Sequence, residues 1–118
     1  MQDNNTPQRE NRSRLLDQVT NCMRLRHMSK RTEKAYLNWI VDFLQFHKQL
    51  AGDWLHPKDL GDDDVNQYVT YLAVERKVAA STQNQALSAI WFLYTRVLEK
   101  EVHFDAMRAQ MEAGGWRQ

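Results

Sequence analysis

The sequence predicts an all-α protein, a bundle of four helices, and three observations carry that prediction. The 118 residues include four Gly and two Pro, too few turn formers for an all-β fold. Apolar residues recur three and four apart in four separate stretches, the mark of amphipathic helices. Short connectors with Ser, Gly, Pro or charged residues separate those stretches. The length suits one domain, and four Trp, four Tyr and four Phe supply bulky core material.

Residues 1–12 read as a disordered lead, dominated by Gln, Asn, Asp, Thr and Pro and with nothing that could join a core. The folded domain is expected over residues 13–104. A first helix is predicted for residues 13–27, with Leu15, Leu16, Val19, Cys22 and Met23 at helical spacing. Met28-Ser29 breaks the pattern, and Ser29 can cap the next helix. That helix, residues 30–49, carries Tyr36, Ile40, Phe43 and Leu44 on one stripe and Trp39, Phe46 and Leu50 beside it. So wide an apolar face must be covered from two sides. His47 lies next to the stripe and reads as a structural histidine.

Residues 51–61 form a connection punctuated by Gly52, Pro57 and Gly61, with Trp54 and Leu55 placed to tuck onto the bundle. Asp62, Asp63 and Asp64 open a third helix, where carboxylates favour the positive end of the helix dipole. Consecutive residues diverge around a helix axis, so this run does not suggest a metal site. Val65, Tyr68, Val69 and Leu72 give the third helix its buried face. After a turn at residues 77–80, the fourth helix runs from Ser81 to near Glu99. Leu87, Ile90, Trp91, Tyr94, Val97 and Leu98 form its stripe, and Thr82 and Gln85 have the spacing of a capping box. Residues 101–104 look extended, and residues 105–118 read as a tail or truncated linker.

The composition also excludes some functions. No apolar run is long enough to span a bilayer, and the polar N-terminus lacks a signal-peptide core. A soluble, cytoplasmic protein is expected. Cys22 is the single cysteine, which rules out an internal disulfide and a cysteine-based zinc site. No nucleophile–base set, Gly-rich phosphate loop or paired metal-ligand motif emerges. Neither a cofactor nor a metal is expected, nor catalysis by these residues alone.

Nucleic-acid binding has more support. The formal net charge is only +1, yet Arg24, Arg26, Lys30, Arg31 and Lys34 crowd one segment. Lys77 precedes Ser81, Thr82, Gln83 and Asn84 at the start of the fourth helix. If the two helix starts lie side by side, cations would meet phosphates and hydroxyls would position the backbone. Gln83, Asn84 and Asn38 could then reach base edges. The alternatives remain an ordinary helix cap at Ser81–Asn84 and a merely solvated basic face.

The stretch Ser29-Lys-Arg-Thr-Glu-Lys-Ala-Tyr-Leu-Asn-Trp-Ile40, followed by Phe43 and Phe46, resembles the start of the core-binding domain of tyrosine recombinases, the phage-integrase family. The stretch from Leu72 to Tyr94 is similar to its later half, in the form found in integron integrases. The resemblance covers Leu15 to Phe104. It implies a SAM-like four-helix domain that clamps DNA opposite a catalytic domain, with its second and fourth helices toward the duplex. By position, the implied DNA-binding residues are Lys30, Arg31, Thr32 and Lys34, then Ser81, Thr82, Gln83 and Asn84. Lys77 joins them from the charge pattern. Tyr36, Trp39, Ile40, Phe43, Leu87, Ile90, Trp91 and Tyr94 map to core positions. The implied partners are recombination-site DNA, duplex or folded single strand, a catalytic domain and other recombinase protomers.

The family's catalytic Arg, Lys, His-x-x-Arg segment, further His or Trp and nucleophilic Tyr have no counterpart in this sequence. Tyr36, Tyr68, Tyr71 and Tyr94 fall inside the helical domain, and the Gly114-Gly115-Trp116 ending departs from the basic linker expected there. The rival expectation is a helical module that docks a protein or a second copy of itself.

Overall fold

A computed structural model describes the backbone of residues 6–100, and side chains from residue 11 onward. The order is α1 (Thr6–Leu25), α2 (Lys30–Ala51), a 3-10 turn (Pro57–Asp59), α3 (Asp62–Val74), α4 (Ala80–Phe92) and a π-helical turn (Leu93–Val97). No strand occurs among the described residues. The protein is an all-α four-helix bundle, as the sequence predicts.

One boundary is corrected at the start. Helix α1 begins at Thr6 rather than near Ser13, so part of the expected disordered lead is helical. Its Gln, Glu and Arg residues are good helix formers, and the helix extends from a turn fixed by buried Leu15, Val19 and Met23. Residues 1–5, the extended segment expected at 101–104 and the tail expected at 105–118 lie outside the described residues.

Helix α1 closes on His27, whose φ of 59° is left-handed. The Met28 N–H then reaches back to the Met23 carbonyl at 3.1 Å, satisfying an orphan carbonyl of the last turn. Ser29 caps α2 as expected, its Oγ accepting from the Thr32 N–H at 3.1 Å. Helix α2 buries Ile40, Phe43, Leu44 and His47. Phe43 is the centre of the core, edge-on to His47, Tyr68 and Tyr94 at centroid distances of 5.0, 5.3 and 6.5 Å. Leu50 does not join this face and is 57% exposed, because the last turn of α2 runs past the edge of the bundle to Gly52. That glycine adopts φ 80° and ends the helix by donating to the Lys48 carbonyl.

The α2–α3 connection packs inward through Trp54, Leu55, Pro57 and Leu60. The Tyr94 hydroxyl donates to the Pro57 carbonyl at 2.6 Å in a buried position. At the start of α3, the Asp64 carboxylate accepts from the Gly61 N–H at 2.8 Å. The acidic run therefore serves the helix start, and no metal-holding group exists among the described residues. Burial lowers the His47 pKa from its ordinary value, with Asp64 opposing. The neutral ring meets the Asp64 carbonyl at 3.0 Å, a structural role as expected.

Helix α3 closes on Lys77, left-handed at φ 52°, with the Val78 N–H returning to the Leu72 carbonyl at 3.1 Å. Helix α4 then opens at Ala80 with Ala79 as its N-cap and no side-chain cap. This overturns the expected Thr82–Gln85 capping box: the helix starts too early for Thr82 to occupy the cap position. Helix α4 packs along α2 and against α3, while α1 packs on α2 and on the π turn. Among the described residues, no helix is long and apolar enough to cross a membrane.

Candidate nucleic-acid interface

The first turn of α2 is built from its own polar residues. Ser29 Oγ donates to Thr32 Oγ1 at 3.0 Å while accepting from the Thr32 N–H. Lys30, Arg31 and Lys34 are exposed around this turn, and Thr32 is half-buried. Glu33 points the other way and is buried; the Arg24 guanidinium lies 3.4 Å from its carboxylate. Arg24 is thereby drawn toward Glu33, which thins the basic cluster read from the sequence.

Arg31 and Thr32 line a groove between α2 and α4, together with Tyr36 and Trp39 from α2 and Gln85 and Ser88 from α4. The two helices lie side by side, but their starts do not: the start of α2 meets Gln85 and Ser88 in the body of α4, and Ser81, Thr82, Gln83 and Asn84 do not line the groove. Burial raises the Tyr36 pKa, partly opposed by a hydrogen bond with Ser88, so the phenol stays neutral in the groove wall. Lys30 and Lys34 do not line the groove. At about 100° per residue they sit on the flank of α2 turned away from Thr32 and Trp39.

On α4, Ser81, Gln85 and Ser88 share one face by their spacing of four and three. Ser81 is exposed and Thr82 half-buried. The Gln83 amide Nε2 donates to the Val69 carbonyl at 3.1 Å, tying α4 to α3 rather than presenting that donor outward. Asn84 is half-buried, and its backbone carbonyl accepts from Ser88 Oγ at 3.0 Å. Lys77 is exposed in the turn that leads into α4.

A second hollow adjoins the groove. Ala35 and Trp39 line both, and Asn38, Asp42 and Arg76 complete the second. Here Asp42 Oδ2 accepts from Arg76 Nη1 at 2.6 Å and from the Tyr68 hydroxyl at 2.5 Å. Burial, then the hydrogen bond to Asp42, raises the Tyr68 pKa far above its usual value; Tyr68 is a firm donor. The Arg76 guanidinium also lies over the Tyr71 ring, 5.9 Å from its centroid.

Gln85, Ser88, Asp42 and Arg76 are absent from the residues expected at the site, and Trp39 is expected in the core. The stripe Arg31, Ala35, Asn38, Asp42 does have helical spacing, so periodicity alone can find its half on α2. The contribution of Arg76 depends on a contact across 34 positions that no spacing rule reveals.

This helical frame matches the family model described as the phage integrase N-terminal SAM-like domain, over residues 15–104. The chain belongs to that family. It is 42% identical over 85 residues to an integrase/recombinase of Escherichia coli, covering 72% of this chain and 24% of that protein. An integrase/recombinase of Pseudomonas aeruginosa gives the same figures, 42% over 85 residues with 72% and 24% covered. A putative integrase/recombinase of Sinorhizobium fredii is 28% identical over 87 residues, covering 74% of this chain and 26% of its own. The chain thus spans about a quarter of the length of the relatives it matches, and the family match is to the N-terminal domain.

Proposed function

We propose that this chain is the DNA-binding module of an integron-type tyrosine recombinase, acting in site-specific recombination and DNA integration. The supporting observation is the groove that brings Arg31 and Thr32 of α2 against Gln85 and Ser88 of α4 on one face. Phosphates would be held by Lys30, Arg31, Lys34 and Lys77, with Thr32, Ser81 and Thr82 hydroxyls positioning the backbone. Asn84 and the remaining polar atoms of the Gln83 amide would add contacts at the margin. Strand cleavage is assigned to a catalytic domain outside residues 15–104, so the module is not itself an enzyme. It would work in the cytoplasm, on recombination-site DNA and beside other recombinase protomers. The integron assignment rests on the resemblance of the Leu72–Tyr94 stretch.

The test is fluorescence anisotropy of labelled duplex and hairpin DNA across salt concentrations. Binding that weakens steeply with salt is expected, and a hairpin preference would favour the integron type. Absence of binding at low salt would sink the reading. A second reading, self-association or protein docking, draws on the exposed Leu25 and Val74, 81% and 59% accessible. Mass that rises with concentration in sedimentation, and persists in high salt, would favour it.

A further inference from the structure

The second hollow holds an arginine more firmly oriented than phosphate binding requires. Asp42 bonds to Arg76 Nη1 and is itself gripped by the hydroxyl of Tyr68, a fully buried core residue. The Tyr71 ring lies beneath the guanidinium. A chain of contacts therefore runs from the core to a side chain that is still 39% exposed. Exposed ion pairs contribute little to stability, so stabilisation is a poor account of this geometry. Phosphate attraction does not need it either, since a flexible cation serves as well and Asp42 offsets the charge.

Reading a base edge does need it. The guanidinium carries five N–H donors in a planar fork, and Asp42 engages one nitrogen, which leaves donors for a second planar partner. Guanine presents two acceptors, O6 and N7, in the major groove at the spacing that such a fork matches. Arg76 also lies beside the seam, because Ala35 and Trp39 are shared with the groove that contains Arg31.

We infer that Arg76 reads a guanine of the bound duplex, with Asp42 and Tyr68 as positioning residues that hold its guanidinium in plane. The inference rests on the DNA-binding reading above. It adds a base-specific contact from the α3–α4 turn to a surface otherwise made of phosphate contacts.

The experiment is selection of bound duplexes from a library with a randomised segment, using the full chain. The wild type should enrich guanine at one position, and replacing it should weaken binding about 5- to 150-fold, the range of a good bidentate contact. Substituting 7-deazaguanine there, which removes N7 alone, should also weaken binding. Arg76→Gln should abolish the preference while leaving the melting temperature near that of the wild type. Arg76→Lys should keep the charge and lose most of the discrimination. Asp42→Asn should relax the guanine preference without lowering affinity for random duplex. Arg31→Ala should weaken all duplexes alike and leave the preference intact. Binding with no guanine preference, or a preference that survives Arg76→Gln, overturns this inference alone. No binding to any duplex or hairpin overturns the DNA-module reading with it.

Discussion

Replacing Lys30, Arg31 and Lys34 together by Ala tests the proposed DNA face most directly. All three side chains are exposed on the first two turns of α2, so their removal should leave the fold intact. Each phosphate neutralised on duplex DNA contributes about 0.9 to the slope of log affinity against log salt. Removing three cation–phosphate pairs would flatten the slope by ~2.7, and between 50 and 200 mM salt the wild type would lose ~40-fold more affinity than the variant. Anisotropy titrations at four or five salt concentrations measure this. Arg31→Ala alone should flatten the slope by about 0.9, the share of a single phosphate, since Arg31 borders the α2–α4 groove. Arg24→Ala is the control, because Arg24 is drawn to Glu33 and should change the slope little. A triple variant with the wild-type slope, or an Arg24 variant that flattens it equally, would refute the assignment of this turn to phosphates.

The remaining predictions concern the scaffold. Burial lowers the folded-state pKa of His47, so the unfolded chain binds its proton first as pH falls. The stability His47 contributes is full above about pH 6.5 and is lost on acidification through the folded pKa; His47→Gln should flatten that loss in melting curves from pH 7 to 5. Lys77 sits at φ 52°, so Lys77→Gly should stabilise the fold by about 1 kcal/mol while weakening DNA binding, a split visible by comparing melts with anisotropy. Tyr94→Phe removes one of two donors to the Pro57 carbonyl, which keeps the Leu60 N–H at 3.0 Å, and should cost roughly 0.5–1.5 kcal/mol in denaturant titrations; an unchanged midpoint would show that the hydroxyl adds nothing to stability.

The helical class and the α2 and α3 boundaries are legible because each helix has one clear apolar stripe and a polar start. Ser29, Gly52 and the Asp62–Asp64 run all punctuate the chain where the pattern says they should. What the sequence hides has physical causes. Helix α1 begins at Thr6, ahead of the apolar stripe that opens at Leu15, and apolar periodicity does not register residues of good helix propensity such as Gln, Glu and Arg. The start of α4 misleads because Ser81 and Thr82 look like cap residues, whereas the chain enters the helix through Ala79 after a left-handed Lys77. The π turn at Leu93–Val97 has no local sequence signal; its Leu93, Tyr94 and Val97 are all buried, and α1 packs against it. Trp39 and Trp91 look like core residues because they are aromatic, yet both are half-buried, since an indole can cover apolar surface with one edge in water.

The register of α2 ties the core to the proposed interface. Ile40, Phe43, Leu44 and His47 fix the rotation of that helix by burying one side. With 3.6 residues per turn, the same rotation sets Arg31, Ala35, Asn38 and Asp42 on the opposite side, and Thr32, Tyr36 and Trp39 on the flank toward α4. Phe43 packs against Tyr68 and Tyr94 beneath the candidate face, and the Gln83–Val69 bond helps set α4 against α3. Tyr68 takes part in both, its ring in the core and its hydroxyl on Asp42. This coupling separates two kinds of substitution. Changes at Phe43 or Ile40 should damage folding and binding together, whereas changes at Arg31 or Arg76 should alter binding alone. A nearly neutral chain can then present a basic face, because the Arg24–Glu33 pair and the acidic start of α3 engage charge away from the α2–α4 groove.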